Sequence, residues 1–299
     1  MTNGSDAYSN SAHIYPMTEE KANCAKFPNF PRRTIGAVGT VFNKRIQVCG
    51  GKDPTGVISK MCYTMDEKWS DFTELKNQRA FAAGVSIAEE GWWVTGGEGY
   101  LGGFAGAATD EVDLLRSTEI VGIHPSPTFE QSIELPLAMA EHCLVKLNDS
   151  QVMLIGGRTR SAEFSKRTWI IDWEMPSLKR RFALQKPLIT GRRGHACFWD
   201  KNRVYVVGGL VANNQATDSV EVWDPRKRTS AWTELEPLGQ KFYGGSPVLW
   251  KNHLPSLIAE GRVYSLKEGA WVEMEMGTKV IVENRYPVAI VTKLDWICL

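Results

Sequence analysis

The stretch GRRGHACFWDKNRVYVVGGLVANNQATDSVEVWDPRKRTSAWTEL, residues 191–235, decides how this chain folds. An apolar run, HACFW, is followed by the polar turn DKN and a second run, RVYVV, that stops on two glycines. Beyond a polar loop come a third run, SVEVW, the turn DPRKRTS and an aromatic-led close, WTEL. β-Branched and aromatic residues fill the runs while Asn, Asp, Pro and Gly fill the gaps, the pattern of short strands joined by turns. Four such strands in chain order make an antiparallel sheet whose second strand ends on Gly-Gly.

The same punctuation recurs. VCGG begins at Val48, VTGG at Val94, LIGG at Leu154 and VVGG at Val206, so the glycine pairs start at Gly50, Gly96, Gly156 and Gly208, steps of 46, 60 and 52 residues. Each pair follows a β-rich run (RIQVC, GWWVT, QVMLI, RVYVV), and upstream of each lies another (TIGAVGTVF, FAAGVSIA, HCLVKL, HACFW). A period near 50 in strand-type sequence is the range of propeller blades. The pairs Gly50-Gly51, Gly96-Gly97, Gly156-Gly157 and Gly208-Gly209 read as structural, because residues without Cβ allow positive φ and close backbone approach where a strand leaves a crowded blade.

A fifth unit near Tyr243 has lost its glycine pair, offering LIAEG at 257–261, but keeps the closing Trp271. The C-terminal RYPVAIVTKLDWICL supplies a first and second strand and stops; the N-terminal AHIYPMTEEKANCAKFPNFPRR supplies a third and fourth with nothing before them. Pairing the two ends would close a ring and remove its exposed sheet edges. The expectation is an all-β domain over 13–299, a six-bladed propeller with four antiparallel strands per blade. Blades fall at about 35–75, 80–135, 140–185, 193–236, 242–276 and 286–299 joined with 13–30, after a flexible segment 1–12.

A hydrophobic run ending in Gly-Gly, then a Tyr-like position and a Trp a few residues later, resembles the kelch repeat. The resemblance covers about His13 to Leu299, with Trp69, Trp232 and Trp271 at the fourth-strand position and Phe129, Phe182 and a segment near Asn23 replacing Trp elsewhere. WD40 repeats are the competitor, but the Trp-Asp of VWDP at Val222 occurs once and precedes a turn instead of closing each blade. The resemblance implies a six-bladed β-propeller serving protein–protein interaction.

The formal net charge is +1, with 43% hydrophobic and 23% charged residues, so there is no overall pull toward nucleic acid or a membrane surface. No apolar run reaches the roughly 20 residues that span a bilayer, and MTNGSDAYSNSAH does not read as a signal segment. Six cysteines in a chain this long are not a dense disulfide framework; Cys49, Cys143, Cys197 and Cys298 sit in or beside apolar runs, as buried thiols do. A monomeric, non-membrane chain with reduced thiols and a cytoplasmic or nuclear place is expected.

No catalytic, metal or cofactor site is legible: there is no His-Glu-x-x-His, no Cys-x-x-Cys and no Walker-type loop. The nearest thing to a metal cluster, His142-Cys143 with His195 and Cys197, begins the first strands of two neighbouring blades. Adjacent strand residues point to opposite faces, so His142 and Cys143 do not converge, although His195 and Cys197 could. Some kelch-type propellers are enzymes, namely copper oxidases of the galactose oxidase kind and sialic acid epimerases; Cys62 and Tyr63, neighbours in one strand, do not suggest the oxidase's cross-linked pair. The Gly-rich insertion within 98–116 lengthens one step and belongs on one face, where such loops often bind.

Just before each first strand stand Arg32-Arg33, Arg79, Glu141, Arg192-Arg193, Lys241 and Arg285. A ring would bring these together as a basic rim broken by Glu141. Arginine's planar fork suits carboxylate or phosphate, so an acidic or phosphorylated peptide or loop is the expected partner, and a small ring is a poor match to nucleic acid. In kelch substrate receptors of ubiquitin ligases, arginines before the first strand and residues of the loops between second and third strands hold the partner peptide. By resemblance the matching residues are Arg33, Arg79, Arg193, Arg285 and Lys241, with loop residues around Lys52, Asp53, Arg158, Arg160, Asn213 and Asn214. The resemblance thus implies a substrate-recognition role in ubiquitin transfer, with actin or cytoskeletal binding as the alternative. With nearly all of the sequence spent on blades, a BTB, BACK or F-box segment would have to come from an adaptor or a longer protein.

Overall fold

The structure is a computed structural model; it describes residues 28–88, 91–100, 112–122, 128–131, 134–161, 163–172, 182–227, 231–250, 254–259, 262–267 and 270–274. Five four-stranded antiparallel sheets follow one another. Blade 1 is β1 (Val38–Phe42), β2 (Arg45–Cys49), β3 (Met61–Met65) and β4 (Trp69–Glu74). Blade 2 is β5 (Ala83–Ala88), β6 (Gly91–Thr95), β9 (Thr118–Gly122) and β10 (Thr128–Gln131), with a hairpin of β7 (Glu98–Tyr100) and β8 (Val112–Leu114) inserted between its second and third strands. Blade 3 is β11 (Cys143–Lys146), β12 (Gln151–Ile155), β13 (Thr168–Asp172) and β14 (Phe182–Leu184). Blade 4 is β15 (Ala196–Trp199), β16 (Val204–Val207), β19 (Val220–Trp223) and β20 (Thr233–Leu235), carrying the small pair β17 (Leu210–Val211) and β18 (Gln215–Ala216). Blade 5 is β21 (Ser246–Trp250), β22 (Leu254–Ala259), β23 (Arg262–Lys267) and β24 (Ala270–Glu273).

The degenerate fifth unit is therefore a full blade, but the described residues hold five blades where six were expected. The sixth, assigned to 286–299 with 13–30, falls almost entirely on residues outside those described. The same is true of Arg285 and of the segment 1–12.

Apolar second strands follow from their position between two interfaces. In β16, Val204 and Val206 enter the core between blades 3 and 4, while Tyr205 and Val207 enter the core between blades 4 and 5. In β12, Val152 and Leu154 face blade 2, and Met153 and Ile155 face blade 4. Alternate residues of a strand point to opposite faces, and when both faces are buried the strand reads as an unbroken apolar run.

The glycine pair latches one blade to the next. The Gly209 N–H donates to the Phe242 carbonyl at 2.9 Å, as Gly51 does to Arg79, Gly97 to Met139 and Gly157 to Arg192. Gly208, at φ 64°, lies so close to Phe242 that a Cβ would sit 2.4 Å from its ring. No side chain fits there without displacing the next blade.

The cysteines correct the expectation of reduced thiols. Cys49 and Cys62, directly opposed on β2 and β3, form a disulfide, and a second joins Cys143 to Cys197 across the first strands of blades 3 and 4. No free cysteine occurs among the described residues. Ring formation makes β11 and β15 neighbours, which the 54-residue separation in sequence conceals. The ground for expecting an intracellular site is thereby removed.

Candidate functional site at the channel mouth

Two residues before each first strand, the backbone turns left-handed: Gly36, Phe81, Glu141, Gly194 and Gly244 all have φ between 55° and 73°. The amides form a chain around the axis. Phe81 donates to the Gly36 carbonyl at 2.7 Å, Glu141 to Phe81 at 2.9 Å, Gly194 to Glu141 at 3.0 Å and Gly244 to Gly194 at 2.7 Å. These residues and their successors Ala37, Ala82, His142, His195 and Gly245 line a cavity of about 110 Å³ at the channel mouth. Glu141 holds its left-handed conformation without glycine's freedom, a cost of about 1–2 kcal/mol that marks the position as one where the side chain matters.

Around Glu141 the structure gathers three of the expected binding residues. Arg193 donates to the Glu141 carboxylate at 2.5 Å and to Asn214 Oδ1 at 3.0 Å, and its guanidinium lies 5.1 Å from the centre of the Phe164 ring. Arg158 pairs with Glu98 and approaches Glu141 at 3.7 Å. Farther out, Arg160 pairs with Asp113 of β8. Thus the inserted hairpin supplies acidic partners to blade 3, a role that the sequence did not reveal. Two carboxylates, the largely covered Glu98 and the buried Glu141, turn the anticipated basic rim into a mixed network whose partly exposed members are the arginines.

Other expected binding residues lie elsewhere. Arg33, Lys241 and Asn213 are exposed, Asn213 within a short 3-10 turn. Asp53 braces its own loop by accepting from the Thr55 and Val57 amides and meets Arg32 at 3.4 Å, and Lys52 bridges Ile35 through backbone.

Arg79 requires correction. Its counterpart is Arg192, not Arg193: each has a side chain with 0% exposure and crosses its blade's interior. Arg192 donates to the Gly208 carbonyl (2.9 Å), the Ser219 carbonyl (3.3 Å), Ser219 Oγ (2.9 Å) and Glu221 (2.6 Å). Arg79 repeats the set with the Gly96 and Ser117 carbonyls, Ser117 Oγ and Glu119. Each glutamate spends its remaining acceptor capacity on two backbone amides, Ile189 and Thr190 for Glu221, Lys76 and Asn77 for Glu119. Burial lowers both guanidinium pKa values and the paired glutamate partly restores them. No partner can reach these arginines. Their trace in the sequence is a Ser-x-Glu at 117–119 and 219–221, following arginines 17 and 16 residues before the first glycine of the pair.

His142 and His195 pack between blades against the glycine pairs; a Cβ at Gly156 would lie 2.7 Å from the His195 ring. His142 Nε2 shares a 2.8 Å hydrogen bond with Thr95 Oγ1. Burial, and then the positive charge of Arg79 or Arg192, holds each imidazole neutral with its pKa down to about 3. Cys197 is bonded to Cys143 and does not join His195 as a ligand. Among the described residues no group of three or more His, Cys, Asp and Glu side chains is placed to hold a metal ion.

The family model described as the kelch motif matches residues 191–239. No curated protein matches the chain. Among solved structures, one titled "Structure of YjhT" is similar with a TM-score of 0.71 over 90% of each chain, at 13% identity, which speaks for the fold alone. With the motif lying on blade 4 and four further four-stranded antiparallel sheets following the same plan, the chain carries a kelch motif within a β-propeller fold and is similar to the kelch-repeat propellers.

Proposed function

We propose that this propeller is a non-catalytic protein-interaction module whose partner peptide or loop docks on the channel-mouth face that carries Arg158, Arg193 and Asn214. The observation that carries this is the convergence of Arg158 from blade 3 and Arg193 from the approach to blade 4 on Glu141, whose unfavourable backbone geometry is retained at the mouth of the channel. Arg193 keeps one-fifth of its side chain exposed and Arg158 one-third, so both offer donors to an incoming carboxylate or phosphate. Substrate recognition for ubiquitin transfer is the role within this class that the kelch resemblance favours.

The test is quantitative affinity capture with the wild-type chain and with an Arg158→Ala, Arg193→Ala, Asn214→Ala triple variant. An Asp149→Lys variant, altered in the exposed turn at the other end of blade 3, is the control. Partners retained by wild type and control but lost by the triple variant are expected. Partners retained equally by all three, with melting unchanged, would remove this face as the docking site.

We also infer that a sixth blade, from 286–299 with 13–30, closes the ring. First strands pack successively, β1 on β5, β5 on β11, β11 on β15 and β15 on β21, and among the described residues the channel-mouth hydrogen-bond chain begins at Gly36 and ends at Gly244. Deleting 286–299 should expose the edges of blades 1 and 5 and lower the melting temperature or provoke self-association. A truncated chain that stays monomeric and melts like the intact one would rule out the shared blade.

A further inference from the structure

Beside the channel-mouth network a groove of about 580 Å³ runs between the approach to blade 3 and the loop joining β12 to β13. Its size is that of a ligand site, and it stands apart from the 110 Å³ channel cavity. Pro136, Leu137 and Phe164 give its lining an apolar part. The rest is largely cationic: Arg116, Arg160, Lys166 and Arg167 line it with a single carboxylate, Glu163. Arg116 and Arg160 are already partnered from outside the groove, by Glu134 at 3.6 Å and by Asp113. Lys166 and Arg167 are different: both are exposed, and neither is held in an ion pair among the described residues.

The loop presenting them is firmly held. The Lys166 carbonyl accepts from the Leu188 amide at 2.8 Å and the Arg167 carbonyl from the Gly156 amide at 3.0 Å, so the side chains project from backbone pinned to the blade. Phe164 is fixed from beneath by the stacked Arg193. A rigid platform with two unneutralised cations and an apolar part to its lining is complementary to an extended segment that alternates carboxylates with an aliphatic side chain.

We propose that this groove is a specificity site for an acidic peptide bearing one aliphatic anchor, with Lys166 and Arg167 reading the carboxylates and Leu137, Pro136 and Phe164 holding the anchor. The inference rests on the peptide-docking reading of this face and places the selective contacts to one side of the channel, between blades 2 and 3. A protein whose net charge is only +1 would thereby discriminate acidic partners through a local surplus.

A random short-peptide display library, selected against the wild-type chain, tests it. Selected peptides are expected to be rich in Asp and Glu around one Leu, Ile or Val. Their affinity should fall about tenfold or more on Lys166→Glu with Arg167→Glu, and weaken with added salt. Melting of that variant should match wild type, since both side chains are exposed. Peptides without acidic enrichment, or acidic peptides that bind the variant as well as wild type, would overturn the groove. If binding is instead lost only on Arg158→Ala with Asn214→Ala, the channel mouth is the site and the broader reading survives without the groove. If no peptide is selected, both fall. Displacement of the peptides by inorganic phosphate at comparable concentration would identify a simple anion site and likewise refute the peptide.

Discussion

Replacing Arg192 with alanine is expected to destabilise the propeller by about 3–5 kcal/mol, because Glu221 is left as a buried, uncompensated charge. The Gly208 and Ser219 carbonyls and Ser219 Oγ lose their donors at the same time, each a further unmet polar group. Blade 4 stands beside blade 3 through the Gly157–Arg192 latch, so damage at Arg192 spreads to the interface that the motif was built to close. The neighbouring blades show what else can fill this space. At the positions of Arg192 and Glu221, blade 3 has Met139 and Trp169, packed in one apolar cluster, and blade 5 has Phe242 and Tyr264 in another. The fold therefore accepts either a charged pair or an apolar pair and rejects a half of each. Arg192→Met alone and Glu221→Trp alone should both be severely destabilised, while the double variant should recover much of the loss. Denaturant unfolding of the four proteins measures this as a coupling energy. Strict additivity of the two single changes would show that the ion pair is not the unit.

This pair also marks where reading the sequence stops. The glycine spacing announces the blades because only a residue lacking Cβ fits beside Phe242 or the Arg79 carbonyl, and that demand repeats with the architecture. Apolar second strands are equally legible, since both of their faces are buried. Arginines are not. In the adjacent pair Arg192-Arg193, a one-residue step moves a side chain from the blade interior to the channel mouth, and nothing in the pair itself says which matches Arg79. The match is fixed by the remote Ser219 and Glu221. Glu98 and Asp113 carry no signal in the sequence for a similar reason: they belong to a Gly-rich insertion and acquire partners only when its ends fold back as β7 and β8 beside blade 3. Cys143 and Cys197 visibly open neighbouring blades, but their bonding depends on the angle between two sheets, which no local pattern encodes.

Acidification should unfold this protein through its two interior histidines. His142 and His195 have folded-state pKa values of about 3 against 6.5 in the open chain, so the unfolded state binds more protons anywhere between those limits. Stability is accordingly unaffected by them above about pH 6.5 and declines as pH falls toward 3, by about 1.4 kcal/mol per pH unit for each histidine. At pH 4.5 the two together would remove about 5 kcal/mol, comparable with the whole stability of many domains. Burial of the two rings is the main cause, and the fixed positive charges of Arg79 and Arg192 further oppose an imidazolium at His142 and His195. Glu141 adjoins His142 in the chain, but its buried carboxylate is engaged by Arg193 and Arg158. Melting temperatures of wild type and of a His142→Gln, His195→Gln variant between pH 7.5 and 4.5 separate these histidines from the ordinary titration of carboxylates. The variant should be less stable at pH 7.5, having lost fitted rings between the blades, yet show a much shallower decline with acid, so that the two curves converge or cross. Parallel curves would mean that the histidines take up protons in the folded ring, and that the buried arginines do not exclude charge from the channel.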